Sequence, residues 1–278
     1  MNVSSSPVFT LGVSLHTLDP EQRLETIRML AGSKVKSVEL WEPTFRREKR
    51  FVQEARDTFI EAGVEPRTVH ANFGNQFDIS SPDESTRASA LSAVEAALEL
   101  AVNIGAGIIV VHPSAEPIDK DERLIRLKQA QKSIEAIARR VSEAGCSFAL
   151  ELLPRTCLGS TTSELLLLLE NVEQEAAGVC LDTNHLMNGF RLLPEVVRTL
   201  GPRLVTLHCS DYDGVDEKHW PPLRGVIDWS AFLSALHEVG YSGPLHYEAD
   251  LEGNSPAEKL AFLEDNFAKL TMLQSRAA

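Results

Sequence analysis

Cysteine is scarce in this 278-residue chain, and its four copies, Cys146, Cys157, Cys180 and Cys209, form no CxxC pair. A zinc ribbon or dithiol redox motif is therefore not expected. Three of the four lie in strand-like runs, where a reduced thiol packs as a small hydrophobe. Long apolar runs are missing too. The most apolar stretch, Leu165 to Leu169, is far too short to span a bilayer, so no membrane partner is expected. The opening MNVSSSPVFTLG has no basic region followed by an apolar segment. No secretory signal is expected from it, and a cytoplasmic location follows by default. No strand-like run leads into GxGxxG or GxxxxGK(S/T), which removes the usual nucleotide-binding sheets. Positive charge is also in short supply: 27 Lys and Arg stand against 40 Asp and Glu, a formal net charge of −13. The basic residues are scattered, apart from a modest cluster around Arg46 to Arg50. A surface that grips a phosphate backbone needs its cations gathered on one face, so nucleic acid is not favoured as a partner.

What the chain does have is a repeating alternation of apolar strand-like runs and helix-like stretches. The runs are 8–16, 35–41, 66–72, 107–113, 146–152, 178–182, 203–209 and 244–249. GIIVVHP is nearly continuously apolar, as expected of a parallel strand covered on both faces. Helices are expected from Asp19-Pro20 to about Ala31, from about Arg47 to Ala62, from Ser81-Pro82-Asp83-Glu84 to about Asn103, and from about Lys120 to Glu143. Others are expected over Thr162 to Asn171, Leu193 to Leu200, Trp229 to Val239 and Ser255 to Leu273. This pattern predicts an α/β fold, a (β/α)8 TIM barrel forming a single domain over 1–278 with no linker. An open doubly wound sheet is the alternative.

The runs end in His16, Glu39, His70, His112, Glu151, Asp182, His208 and Glu248, all able to bind a metal or move a proton. In a barrel, strand C-termini build the active site. Glu151, Asp182, His208 and Glu248 come from the fifth to eighth strands. Three carboxylates and one imidazole form a hard donor set suited to one divalent ion, Mn²⁺, Mg²⁺ or Co²⁺ before Zn²⁺. A single strand-end acid is more often just a solvated loop residue; four on successive strand ends favour the metal. His185, three residues past Asp182, is a substrate, second-metal or supporting group. Asp211, at the same spacing past His208, is the expected acceptor for that imidazole. His70 and His112 divide between structural and functional roles. His16 and Glu39 are adequately explained as rim polarity, and His237 and His246 as structural. Arg155 and Arg224 are either bidentate hydroxyl or phosphate binders or surface ion pairs. Trp41 and Trp220 are sugar-facing walls or buried barrel aromatics.

Several stretches, VHANFGNQFDISSPDE, IGAGIIVVHP, ALELLPR, LDTNHLMNG, VTLHCSDYDG, the PP…GVIDW segment and HYEAD, resemble the xylose-isomerase-like TIM barrels. That superfamily includes sugar isomerases, sugar epimerases and endonuclease IV enzymes. Similarity to its ketose 3-epimerases implies a metal held by Glu151, Asp182, His208 and Glu248, with the two glutamates moving the proton. It further implies substrate contacts at Arg155 and His185. Similarity to its endonuclease IV members implies three zinc ions held with additional histidines, at positions matching His70, His112, His185 and His219. Two departures stand out: Glu217-Lys218-His219 replaces an Asp-x-His pair, and Pro222-Leu223-Arg224-Gly225 replaces a Pro-Gly-Glu-Gly turn.

The leading expectation is a divalent-metal-dependent sugar isomerase or epimerase. It acts on a ketose, its phosphate or a polyol-derived relative, through a metal-stabilised enediolate with Glu151 and Glu248 as acid and base. Its substrate contacts are His185, Arg155, His70, His112, His219 and Arg224. The alternatives are a multi-zinc endonuclease IV-like phosphodiesterase and a metal-dependent lyase, dehydratase or deglycosidase acting on a sugar derivative. Whether the chain forms a homo-oligomer is left open.

Overall fold

A computed structural model describes residues 9–45 and 48–273. Val8 of the first expected strand, Arg46 and Arg47 of the basic cluster, and the outer ends of the 1–278 span lie outside the described residues. Eight parallel strands follow one another around a barrel in the order β7-β6-β5-β4-β3-β2-β1-β8. They are β1 (Leu11–Ser14), β2 (Val35–Trp41), β3 (Glu65–His70), β4 (Ile108–Val111), β5 (Ser147–Glu151), β6 (Ala177–Asp182), β7 (Leu204–His208) and β8 (Leu245–Tyr247). Continuous ladders join seven neighbouring pairs, from β8–β1 round to β6–β7. The remaining β7–β8 seam is joined by the single bridge Cys209↔Tyr247, with Cys209 N–H donating to His246 O at 2.6 Å. The chain therefore forms the nearly closed (β/α)8 TIM barrel that the alternation predicts.

The side-chain period of two separates the core into two parts. Val13, Val38, Val69, Ile109, Leu150, Leu181, Leu207 and Tyr247 pack against the surrounding helices in one large cluster. Val110, Ala149 and Cys180, from the intervening positions, form a small cluster of their own inside the barrel. Space there is tight: a Cβ on Gly12 would come within 2.9 Å of both His246 Nδ1 and Ser37 Oγ. All four cysteines are free thiols. No helix among the described residues is long and apolar enough to cross a membrane.

Several helices on the site side of the barrel begin with a side-chain cap, which fixes where each loop ends. Asp83 accepts from Thr86 N–H before Glu84–Ile104, and Asp228 from Ala231 N–H before Trp229–Glu238. Thr161 and Ser255 accept from the N–H groups of Glu164 and Glu258, so each stands three residues ahead of a glutamate, the capping-box spacing. The expected helix from Asp19-Pro20 is displaced. β1 stops at Ser14, His16 falls in the short helix Leu15–Leu18, and the next helix is Leu24–Met29. The cause is Asp19, which is buried and accepts from Glu21 N–H (3.2 Å), Arg23 N–H (3.0 Å) and Thr26 Oγ1 (2.7 Å). These bonds hold the turn open past Pro20. His16, in the short helix ahead of that turn, is exposed.

Candidate active site

β3, β5, β6 and β7 end on His70, Glu151, Asp182 and His208, while His112 and Glu248 follow β4 and β8 by one residue. All of these face one end of the barrel. They line a cavity of about 400 Å³ except for His208, which is fully buried; His185, Arg155, Glu217 and His219 also line it. Three groups of donor atoms lie there, each within 4.8 Å of one another: Glu151, Asp182, His208 and Glu248; His70, His112 and Glu151; His185, Glu217 and His219. Glu151 is shared between the first two. Its Oε2 is 3.1 Å from His70 Nε2 and 3.0 Å from His112 Nε2, while its Oε1 is 3.5 Å from His208 Nδ1 and 3.6 Å from His185 Nδ1.

Hydrogen bonds fix which ring nitrogen each histidine offers. A backbone carbonyl can only accept, so a ring nitrogen bonded to one carries the proton. His70 Nδ1 bonds Ala71 O at 2.8 Å, His185 Nδ1 bonds Leu152 O at 2.8 Å and His219 Nδ1 bonds Glu248 O at 3.3 Å. Each of these rings therefore turns Nε2 toward the cavity side. His208 is reversed: its Nε2 lies 3.1 Å from Glu39 Oε1, and its Nδ1 lies 2.7 Å from Glu248 Oε2.

The charges are strongly coupled. Burial pushes Asp182 up to about 6, partly offset by His185. Burial opposes ionisation of Glu248, but the His208 ring holds its carboxyl at about 2. For Glu151, too, burial favours the neutral acid and is outweighed by His112 and His208, which hold it well below the ordinary range. Burial pushes the His112 imidazole down, whereas for His70 the Glu151 and Glu39 carboxylates overcome burial and raise it.

The donor set fits a divalent cation. Asp182 Oδ2 is fully buried without a hydrogen-bond partner, and His208 Nδ1 meets none in hydrogen-bond geometry. Orphaned buried acceptors of this kind are costly unless a cation faces them. Glu151, Asp182, His208 and Glu248 offer mostly oxygen donors, the choice of hard ions.

The other expected residues are spread unequally. Arg155 reaches the cavity, but its guanidinium is engaged: Nε donates to Glu116 Oε1 at 3.0 Å, and Nη1 is 2.7 Å from both Asp216 Oδ1 and Glu217 Oε1. It thus ties together the loops after β4, β5 and β7. Arg224 stands outside the cavity lining, pairing with Glu252 at 3.1 Å and lying over Trp220. Asp211 does not reach His208. It accepts instead from Tyr212 N–H (2.9 Å), Ile227 N–H (3.2 Å) and Trp229 Nε1 (2.9 Å), pinning the loop after β7. The acceptor for His208 is Glu39, which rim polarity had seemed to explain.

Phe73 was also missed. It lines the cavity, is 43% exposed, and stacks on His112 with centroids 4.1 Å apart. Trp41 meets its edge at 5.1 Å. Left-handed backbone at non-glycine residues clusters around this end, with φ of 50° at Arg155, 46° at His219 and 76° at Leu223. Leu223, where the chain departs from the expected Pro-Gly-Glu-Gly turn, thus carries a leucine side chain on backbone that suits glycine.

Residues 27–266 match the family model described as xylose isomerase-like TIM barrel. The chain belongs to this family. Among curated members, a ketose 3-epimerase of Arthrobacter globiformis is 25% identical over 203 residues, 71% of this chain and 68% of that protein. A probable endonuclease 4 of Persephonella marina is 26% identical over 216 residues, 71% of this chain and 73% of that protein. The crystal structure of a D-psicose 3-epimerase in the presence of D-fructose superposes with a TM-score of 0.79 at 17% identity. It covers 95% of this chain and 99% of that one, which shows the shared barrel.

Proposed function

We propose that this family member is a divalent-metal-dependent isomerase or epimerase of an unphosphorylated sugar. The observation that carries the reading is the Glu151, Asp182, His208 and Glu248 group at one end of a sugar-sized cavity, with an aromatic wall at Phe73. The ketose 3-epimerase relative supports it. One divalent ion, Mn²⁺, Mg²⁺ or Co²⁺ before Zn²⁺, would be held by those four residues and would supply Lewis-acid chemistry at a carbonyl and its neighbouring hydroxyl.

The chain's own groups divide the remaining work. Glu248 is the freer carboxylate, 28% exposed at its side chain, and exchanges a proton with the substrate carbon next to the carbonyl. Glu151, buried among imidazoles, is the second acid/base and is held rigidly. The Nε2 lone pairs of His185 and His219 accept sugar hydroxyls, His70 Nε2 is engaged by Glu151 Oε2 at 3.1 Å, and Phe73 covers a C–H face of the ring. Arg155 acts on substrate through the loops it braces. It is the only Lys or Arg among the described residues lining the cavity, and Glu116, Asp216 and Glu217 already occupy it. A phosphate entering there would meet the Glu116 and Glu217 carboxylates rather than a free cation.

Solvent exchange of the α-proton tests this reading. Mn²⁺-loaded protein in D₂O is expected to exchange that proton in at least one free ketose or inosose-type polyol, with kcat/KM for the matching phosphate ester at least about tenfold lower. A phosphate ester as the better substrate would overturn the uncharged-substrate assignment. No exchange in any sugar would overturn the reaction class.

A second reading, a multi-metal phosphodiesterase, is favoured by the two further donor groups, His70–His112–Glu151 and His185–Glu217–His219. The endonuclease 4 relative supports it as well. The net charge of −13 and the acidic partners of Arg155 oppose it. Metal analysis of purified protein separates the two. One Mn²⁺, Mg²⁺ or Co²⁺ per chain is expected, and three zinc ions per chain would transfer the assignment to the phosphodiesterase.

A further inference from the structure

Of His70, His185, His208 and His219, only His208 has the ring nitrogen turned away from the donor groups held by a carboxylate. His70, His185 and His219 give Nδ1–H to backbone carbonyls. His208 gives Nε2–H to Glu39, at 3.1 Å from Oε1 and 3.2 Å from Oε2. Glu39 is itself fully buried on β2, and its Oε2 accepts from Thr68 Oγ1 on β3 at 2.9 Å. Both Glu39 oxygens lie within reach of Nε2 and one also accepts from a hydroxyl, the arrangement of a carboxylate that accepts Nε2–H. Nδ1 lies 2.7 Å from Glu248 Oε2 and 3.5 Å from Glu151 Oε1, where a bound cation would take the place of a proton on that nitrogen.

β2 and β7 are not neighbours in the barrel, so the Glu39–His208 bond spans its interior. No helix or loop intervenes. The bond therefore fixes ring rotation as well as tautomer, and it sets a full negative charge behind the ring where the other histidines have only a carbonyl dipole. A negative charge on the far side of an imidazole raises the basicity of its bare nitrogen.

We propose that Glu39 is a positioning residue for the metal centre: it holds His208 as the Nε2–H tautomer, aims Nδ1 into the Glu151–Asp182–His208–Glu248 group, and strengthens it as a donor. Thr68 serves Glu39 in the same way, fixing the carboxylate against rotation. The inference rests on the metal-binding part of the function proposed above and is independent of the sugar reaction.

The test uses the full chain with Mn²⁺ as the probe. Mn²⁺ dissociation constants are measured by calorimetry for wild type, Glu39→Gln, Glu39→Ala and Thr68→Val, and the His208 ring is followed in the metal-free proteins by ¹⁵N NMR. Glu39→Gln keeps an acceptor for Nε2–H but removes the charge, and is expected to weaken Mn²⁺ binding about tenfold. Glu39→Ala removes both and is expected to weaken it by up to about 100-fold, with the His208 Nε2 signal moving away from its wild-type position. Thr68→Val, close in shape to threonine, is expected to weaken binding severalfold, and together with Glu39→Gln it answers the question if Glu39→Ala does not fold. Glu39→Asp, which restores the charge with a shorter reach, is expected to recover part of the affinity. Mn²⁺ affinity within twofold of wild type in both Glu39→Gln and Thr68→Val, with unchanged His208 ring signals, would overturn the proposal. Wild-type protein that binds Mn²⁺ but exchanges no sugar proton would overturn the reaction class and leave this assignment standing. Failure of wild type to bind Mn²⁺ would overturn the metal-centre role itself.

Discussion

Glu248→Gln is expected to lower α-proton exchange in the substrate by about 10²–10⁴-fold, the range associated with losing a positioned acid/base. Glutamine keeps the size of the side chain and an oxygen that can still face a cation, so the bound metal should largely remain. Glu248 is the right place for the experiment because it is half-buried and its side chain meets His208 at 2.7 Å. Glu151→Gln should abolish exchange too, by a different route. Its two oxygens face His70, His112, His185 and His208, so neutralising it disturbs several imidazoles at once and releases metal along with activity. NMR exchange rates measured beside metal content separate the two effects. Exchange within threefold of wild type in a metal-loaded Glu248→Gln protein would remove Glu248 as a proton carrier.

Asp211→Ala should be the most destabilising single change near the site, costing about 3–5 kcal/mol, because it leaves up to three buried donors unsatisfied. Tyr212 N–H, Ile227 N–H and Trp229 Nε1–H all lose their acceptor. The packing leaves no room for the loop to compensate. Gly225 comes so close to this turn that a Cβ there would lie 2.0 Å from Tyr212 O and 2.3 Å from Asp211 Oδ1. Since the loop carries Glu217 and His219 to the cavity, substrate affinity should fall even where the protein stays folded. Urea denaturation gives the stability change, and a cost under about 1 kcal/mol would show that the carboxylate does not anchor the loop.

The barrel was legible in the sequence because parallel strands buried on both faces read as apolar runs, and each run stopped at a polar residue. Glu151, Asp182 and His208 close β5, β6 and β7 as the pattern implied. What remained hidden depends on contacts distant in sequence. Glu39 finds its partner 169 residues away across the barrel interior, and nothing in its own neighbourhood signals that. Asp211 misled for the opposite reason. Its closeness to His208 in LHCSD suggested contact, but an antiparallel bridge to Trp220 turns the chain away. The partners of Arg155 lie on two other loops whose paths local propensity does not set. Phe73, the first aromatic beyond β3, became meaningful only once His112 was found stacked on it.

The barrel's thinnest seam lies between β7 and β8, where one backbone bridge stands in for a ladder. His208 and Glu248 sit at the open end of that same seam, one on each side, with Nδ1 and Oε2 2.7 Å apart. A cation held by both residues, as proposed above, would therefore also act as a clasp, fastening the seventh strand to the eighth. Filling the proposed centre would then draw the cylinder shut at the same stroke.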